Sequence, residues 1–444
     1  MKKSKKKFKG KSGITLVALV VTIVVMLILA GVSLNFILGE QGILNRGKEG
    51  VEKYSNHQSN EETMLSETED WIDEITGAPV KLGKVSVGEK ASKNSTINGE
   101  EANETNPIIP KGYIAINTET AKWDVAEGPQ YNNGLVISDN TTNGNEWVWV
   151  PVDASTLAGM YETASSPIAI TGGSGKTYIS GVETSKYSKG GIISGKTRVL
   201  PNDTSSFREP DVVVESSDTS YDAVESYRKT AGFTKTENGT KTTMSLSEMA
   251  KTMVNEYETM IASIAKYGGF YIGRYELTAN GEKPGATLTE SSWYTLYGKC
   301  KELEASEKVQ TRMIWSCQWD VTCNWIASTN EDKSITDSRS WGNYKDSISP
   351  ANTGNYEQGV KKDTGSNEAW KANNIYDFAG NCFEWTQEAH RTSNRAGRGG
   401  SYGSSGSDGP ATNRRTYVPT FSWDSGIRFP SRFNSATMSS RECA

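Results

Sequence analysis

Hydrophobic positions change character three times along the chain. Ile14–Leu38 carries no charged residue. As a helix these 25 residues would reach roughly 37 Å, more than the ~30 Å apolar thickness of a bilayer. The stretch predicts a transmembrane helix over 14–38. Residues 39–76 then place Ile43, Val51, Tyr54, Met64, Trp71 and Ile72 as apolar points in a charged field, interrupted by Gly47 and Gly50. That spacing reads as an amphipathic helical stalk stopped near Gly77. Residues 77–110 are rich in Lys, Glu, Asn, Ser and Gly, which predicts a flexible linker. Regular periodicity returns beyond it, so a globular domain is expected over 111–432, followed by a tail over 433–444.

Within that domain Glu146–Val152 (EWVWVPV) alternates in the manner of a strand. Residues 153–239 are long, polar and glycine/serine-rich, and read as an insertion of loops and short strands. Ser245 and Glu248 form a capping-box pair, and Met249, Met253, Tyr257, Met260, Ile261 and Ile264 follow at helical spacing. Gly268-Gly269 closes that helix. Phe270–Thr278 reads as a strand, Trp293–Leu303 and Ile314–Ile326 as helices, and Trp341–Ala369 as loop. The fold class implied is α+β.

Composition agrees: 35% hydrophobic residues and 43 glycines suit a loop-rich α+β domain better than a helical bundle. The net charge of −5 conceals seven lysines among the first 13 residues, so the remainder is strongly acidic. An acidic body excludes nucleic acid as the natural partner, because that affinity comes from cations meeting phosphates. The basic leader, residues 1–13, precedes the apolar span. The positive-inside rule therefore keeps it in the cytoplasm and sends the C-terminal domain out of the cell, giving a single-pass protein of the cell membrane embedded in the lipid bilayer. Five cysteines leave at least one unpaired within the chain, and Cys300, Cys317, Cys323 and Cys382, in apolar or aromatic surroundings, read as buried thiols. Two histidines and no C-x-x-C leave no zinc motif.

The richest stretch is C-terminal. Tyr376–Thr386 reads YDFAGNCFEWT, Arg398–Tyr402 reads RGGSY and Gly426–Phe429 reads GIRF. By pattern alone Glu384, between Phe383 and Trp385, is a strand carboxylate held by a buried partner. The three boxes together resemble the closing signature of the formylglycine-generating enzyme family, the sulfatase-modifying-factor version of the C-type lectin fold. That family writes D/N-G-N-V-W-E-W, then R-G-G-S-W, then G-F-R. The strand at Glu146, the segment FYIGRYELT at Phe270 and the helix MIWSCQWDVTCNWI at Met313 resemble further blocks in family order, so the resemblance runs from Glu146 to Phe429. It implies a C-type-lectin-like domain. It also implies a structural calcium held by Asp377, by the main-chain carbonyls of Gly380 and Cys382, and by Glu384.

The family's oxidases act on a substrate cysteine through two cysteines that bind copper, in the interval between the R-G-G and G-F-R boxes. Here that interval, Ser401–Ser425, contains no cysteine. A thiolate is both the nucleophile and the soft-metal ligand, so the chemistry does not survive its replacement. The expectation is a domain that is not an enzyme. A paired-carboxylate hydrolase built on Asp377 and Glu384 is the weaker catalytic alternative. The same interval carries Tyr402, Ser404, Ser405, Ser407, Asp408, Arg415, Thr416, Tyr417, Phe421, Ser422, Trp423 and Asp424. Aromatics among small polar residues are the composition of antibody-like binding loops. The stretch also looks like the variable region of lectin-fold proteins diversified by retroelements through mutation of adenines in asparagine codons. Most of these residues are reachable in that way; Trp423 is not.

At the N-terminus, Gly13 followed by Ile14-Thr15-Leu16 resembles the type IV prepilin signature, with cleavage between Gly13 and Ile14. Ala18 stands where that family carries glutamate. A plain signal anchor explains the same span. The function expected is ligand recognition or adhesion at the bacterial cell surface, toward an extracellular protein or glycan. The alternative is a minor pilin or pseudopilin assembling with pilus or secretion-system subunits, and a cysteine oxidase comes third.

Overall fold

The computed structural model describes residues 82–116, 134–140, 143–153, 156–157, 207–209, 213, 221–289, 291–303, 309–352, 357–390 and 393–420, and the strand backbone at 438–440 and 442–443. The described residues belong to one unit, Lys81–Ala444. The leader with Gly13 and Ile14, the expected membrane span and the stalk lie outside the described residues. No helix among the described residues is long and apolar enough to cross a membrane.

This unit is mixed α+β. Its described strands are β1 (Gly83–Lys84), β2 (Ser95–Thr96), β3 (Ile114–Ile116), β4 (Val136–Ser138), β5 (Glu146–Pro151), β6 (Phe207–Arg208), β7 (Thr234–Glu237), β8 (Thr240–Thr243), β9 (Gly269–Gly273), β10 (Arg312–Met313), β11 (Lys371–Ala372), β12 (Ile375–Tyr376), β13 (Phe383–His390), β14 (Asn394–Arg398), β15 (Arg414–Tyr417), β16 (Met438–Ser440) and β17 (Glu442–Cys443). The helices are α1 (Glu225–Thr230), α2 (Leu246–Tyr267), α3 (Trp293–Lys301) and α4 (Ser316–Thr329). One sheet runs β10-β17-β9-β5-β4-β3; a second runs β15-β14-β13-β16, with β6 also pairing with β13. Three two-stranded ribbons complete the set.

Helix α2 forms where its sequence demands. Ser245 Oγ accepts the Glu248 amide at 3.3 Å and Glu248 Oε2 accepts the Ser245 amide at 2.7 Å. Gly268, at φ 78°, ends the helix in the left-handed conformation that glycine adopts without steric cost. The stripe Met249, Met253, Tyr257 and Ile264 is buried. Helix α4 differs, because Ser316–Cys323 is buried residue by residue, all round the helix. It runs through the centre of the domain, so no polar face shows in its sequence.

Four expectations are corrected. Residues 82–110 are not a flexible linker. Val85, Ala91, Ala102, Ile108 and Ile109 are buried in a cluster with Trp147, Trp149 and Tyr271. The polar residues between them satisfy one another, as where Thr96 Oγ1 donates to the Glu100 carbonyl at 3.0 Å and accepts the Gly99 amide at 3.0 Å. A few well-placed apolar side chains suffice to order a segment that composition marks as a linker. The tail 433–444 is not outside the fold either, since β16 pairs parallel with β13 and β17 lies between β10 and β9. Backbone pairing needs no side-chain signal. The insertion 153–239 contains helix α1 besides short strands, and the strand expected over Phe270–Thr278 stops at Gly273, where the chain leaves the sheet.

Candidate functional site: a stapled loop

Strands β14 and β15 pair antiparallel, Arg398 opposite Arg414, and the chain between them forms the loop 399–413. One carboxylate fastens both ends. Asp320, fully buried on α4, accepts from Arg398 Nη2 at 2.5 Å and from Arg414 Nη2 at 2.8 Å. Arg398 Nε donates to the Asn413 carbonyl at 2.9 Å, and Arg414 Nε lies 3.0 Å from Glu388 Oε2. Four buried ionisable side chains, Asp320, Arg398, Arg414 and Glu388, thus meet at the base of the loop, where the desolvation of the two guanidinium ions is offset by the carboxylate between them.

The floor of the loop is equally fixed. Gly400 takes φ 79°, and a Cβ there would lie 2.0 Å from the Gly409 carbonyl oxygen, so only glycine permits the approach. Tyr344 donates its hydroxyl to the Gly399 carbonyl at 2.9 Å, and Trp319 its indole N–H to the Ala411 carbonyl at 2.9 Å. Asp346 accepts from Ser405 Oγ at 2.7 Å and from the Gly406 amide at 2.8 Å. Gly380 N donates to the Gly399 carbonyl at 2.8 Å and Tyr402 N to the Asn381 carbonyl at 2.9 Å, so the Y-D-F-A-G-N and R-G-G-S-Y boxes meet in space.

The expected ligand-contacting residues separate into three sets. Tyr402, Ser404, Ser405 and Ser407 are half-buried along the loop and Asp408 is exposed at its tip. Three of these spend their hydroxyls internally: Ser404 on Ser401 at 3.1 Å, Ser405 on Asp346 at 2.7 Å, and Ser405 and Ser407 on each other at 2.9 Å. Arg415, Thr416 and Tyr417 lie on β15, where Tyr417 packs edge-on against Phe383 and Trp385 and the Arg415 guanidinium sits 5.6 Å from the Phe383 ring centre. Burial raises the Tyr417 phenol pKa, the signature of a packing residue. Phe421, Ser422, Trp423 and Asp424, and the GIRF box, lie outside the described residues.

No family model matches this chain, and no curated protein does. Among solved structures it is similar in part to Treponema denticola variable protein 1, at 16% identity and a TM-score of 0.21, over 31% of this chain and 49% of that one. The chain therefore spans about half of that protein's length, and a likeness of that size carries no argument about function.

The turn before β13 is built from left-handed residues, Asp377 at φ 55°, Gly380 at 81° and Asn381 at 50°. Asp377 Oδ2 accepts from Thr364 Oγ1 and from the Gly365 amide, both at 2.9 Å. Glu276, fully buried, accepts from the Cys382 amide at 2.9 Å, from Asn381 Nδ2 at 2.6 Å and from Thr287 Oγ1 at 2.6 Å. Glu384 is fully buried on β13 opposite Arg398. Among the described residues no three His, Cys, Asp or Glu side chains gather to hold a metal. The calcium set expected at this turn, Asp377, Glu384 and the carbonyls of Gly380 and Cys382, is all oxygen, the donor type that Ca²⁺ takes.

Sequence reasoning missed the buried polar core beneath the loop. Glu209 receives the Ser316 and Cys317 amides at 2.6 and 3.0 Å, capping α4 from far along the chain. Burial, then repulsion from Glu388, pushes its carboxyl up to about 8. Burial likewise lifts Glu388 to about 7 against the pull of Arg414 and Arg398. Asp222 binds Arg395 at 2.7 Å and the Tyr294 hydroxyl at 2.6 Å. The one sequence signal was the density of Arg, Asp and Glu inside aromatic segments.

Proposed function

We propose that this chain is a membrane-anchored bacterial surface protein whose C-type-lectin-like domain faces outward and recognises a protein or glycan without catalysis. The reading rests on the Asp320 staple: a loop with a rigid buried base and a polar, partly exposed tip is a preorganised binding element, which loses little entropy on engaging a ligand. Half-buried Tyr402 and Ser407 and exposed Asp408 are the contacts proposed on it. Against oxidase chemistry stands the state of the thiols. Cys317, Cys323 and Cys382 are buried, and burial pushes each pKa up, opposite to the shift that makes a reactive thiolate. The test is adhesion of the full chain to glycan arrays and host-cell surfaces beside a variant with Tyr402, Ser407 and Asp408 replaced by alanine. Binding lost in the variant supports the reading. Equal binding by both, or copper-dependent oxidation of a cysteine peptide, overturns it.

The prepilin-like residues at Gly13-Ile14 favour one refinement, assembly as a minor pilin. Mass spectrometry of the mature N-terminus decides it: cleavage after Gly13 supports processing, and an intact leader removes it. Sequencing the DNA that encodes residues 398–429 across one cell population tests diversification, which requires changes concentrated at adenine-derived positions.

A further inference from the structure

A cavity of about 220 Å³ opens between α2, the segment 94–113 and residues 309–318, and among the described residues none of its walls comes from the loop 399–413. Its inner surface is aromatic: Trp149, Tyr271, Tyr113, Phe270, Tyr267 and Trp315. Trp149 and Tyr271 meet edge-to-face at 5.1 Å, and Trp315 is held edge-on against Tyr257 at 4.9 Å, so these walls are fixed by packing. Trp149 donates its indole N–H to the Glu104 carbonyl at 3.3 Å and Tyr271 its hydroxyl to the Ile108 carbonyl at 2.8 Å, so both rings present their apolar faces.

Helix α2 supplies one wall through Glu256, Thr259, Met260, Ser263, Ile264 and Tyr267, the three-and-four spacing of a single helical stripe. Such a stripe normally closes against a neighbour. Here it runs from buried Glu256 and Ile264 to exposed Thr259 and Ser263, which places the mouth at the two hydroxyl residues. The polar side chains on the wall are Asn94, Gln310, Gln318, the mouth residues Thr259 and Ser263, and the Glu256–Arg312 pair at 3.2 Å, with Glu256 also held by the Tyr297 hydroxyl at 2.5 Å.

Size selects the occupant. A cavity of about 150 Å³ accepts benzene, and drug-sized ligands need about 300 Å³ or more. The volume here lies between, the range of a substituted one-ring or an unsubstituted two-ring aromatic. We propose that this cavity is a binding site for a small planar aromatic molecule of indole or cresol size carrying one hydrogen-bonding group, its ring against Trp149, Tyr271 and Trp315.

The test uses the full chain in lipid nanodiscs and a ring-fluorinated indole as probe, followed by fluorine NMR with empty nanodiscs as the partition control. The expected result is saturable line broadening beyond that control, reversed by p-cresol. Ser263→Trp and, separately, Thr259→Trp fill the mouth from exposed positions and should each weaken binding about tenfold or more, with the melting temperature unchanged. Ser407→Trp on the loop should leave it intact. Absence of saturable broadening, or equal binding in wild type and in whichever mouth variant keeps its melting temperature, overturns the proposal.

Discussion

The Asp320 staple makes a quantitative demand. Replacing Asp320 with asparagine preserves shape and one acceptor but removes the charge shared by Arg398 and Arg414. Arg414 retains Glu388 at 3.0 Å, whereas Arg398 keeps hydrogen bonds to neutral groups such as the Asn413 carbonyl and only a longer-range attraction to Glu388, inside a site with no solvent exposure. Breaking a buried pair and stranding one ion costs about 3–5 kcal/mol. At about 2–4 °C per kcal/mol for a domain of this size class, the melting temperature should fall by roughly 6–20 °C. Asp320→Ala should cost at least as much. Because the cost is that of a stranded cation, Asp320→Leu combined with Arg398→Met should be less harmful than the two single changes added, by about 1 kcal/mol or more. Differential scanning fluorimetry of the wild type, the four single variants and the double variant measures this, and surface binding of the same samples below their melting temperatures reads the loop. A loss under about 1 kcal/mol for Asp320→Asn, or strict additivity in the double variant, would refute a charge-based staple.

Three further outcomes follow from other parts of the molecule. Ser245→Ala removes one half of the α2 capping box and should cost about 1 kcal/mol, read as a lowered melting temperature, while Ser245→Asp should not. Glu209 and Glu388 hold their protons in the fold to about 8 and about 7, whereas in the unfolded chain they release them near the ordinary 4.5. Folded protein therefore binds more protons above pH 4.5, so stability falls as pH rises toward 7–8, by at most about 1.4 kcal/mol per pH unit for each carboxyl. Unfolding followed across pH should lose part of this slope in Glu209→Gln; an unchanged slope would contradict the assignment. If Ca²⁺ occupies the Asp377 turn, a hundredfold excess over its dissociation constant should add about 2.7 kcal/mol, visible as a higher melting temperature than in EGTA and absent in Asp377→Ala.

The sequence by itself determined the elements that local rules specify. The capping box at Ser245, the methionine stripe after it, the stop at Gly268, the alternating strand at Glu146 and helices α3 and α4 were legible because caps, periodicity and turn residues act within a few positions. The Y-D-F-A-G-N and R-G-G-S-Y boxes could be recognised as segments but not placed against each other. Their contact depends on Gly380 meeting Gly399 and Asn381 meeting Tyr402 across the turn and the loop. Composition misjudged 82–110 and the C-terminal strands, since burial there rests on scattered side chains and on backbone pairing with partners distant in sequence. The candidate site shows the same division. The residues of the loop were readable from their types, yet their roles were not: Ser405 turned inward to Asp346 and Tyr417 packed on Phe383 and Trp385. What holds the loop, Asp320 between Arg398 and Arg414, joins residues 78 and 94 positions apart. A buried charge declares its partner only when the chain has folded, because its energy depends on distance and desolvation, neither of which a linear sequence contains.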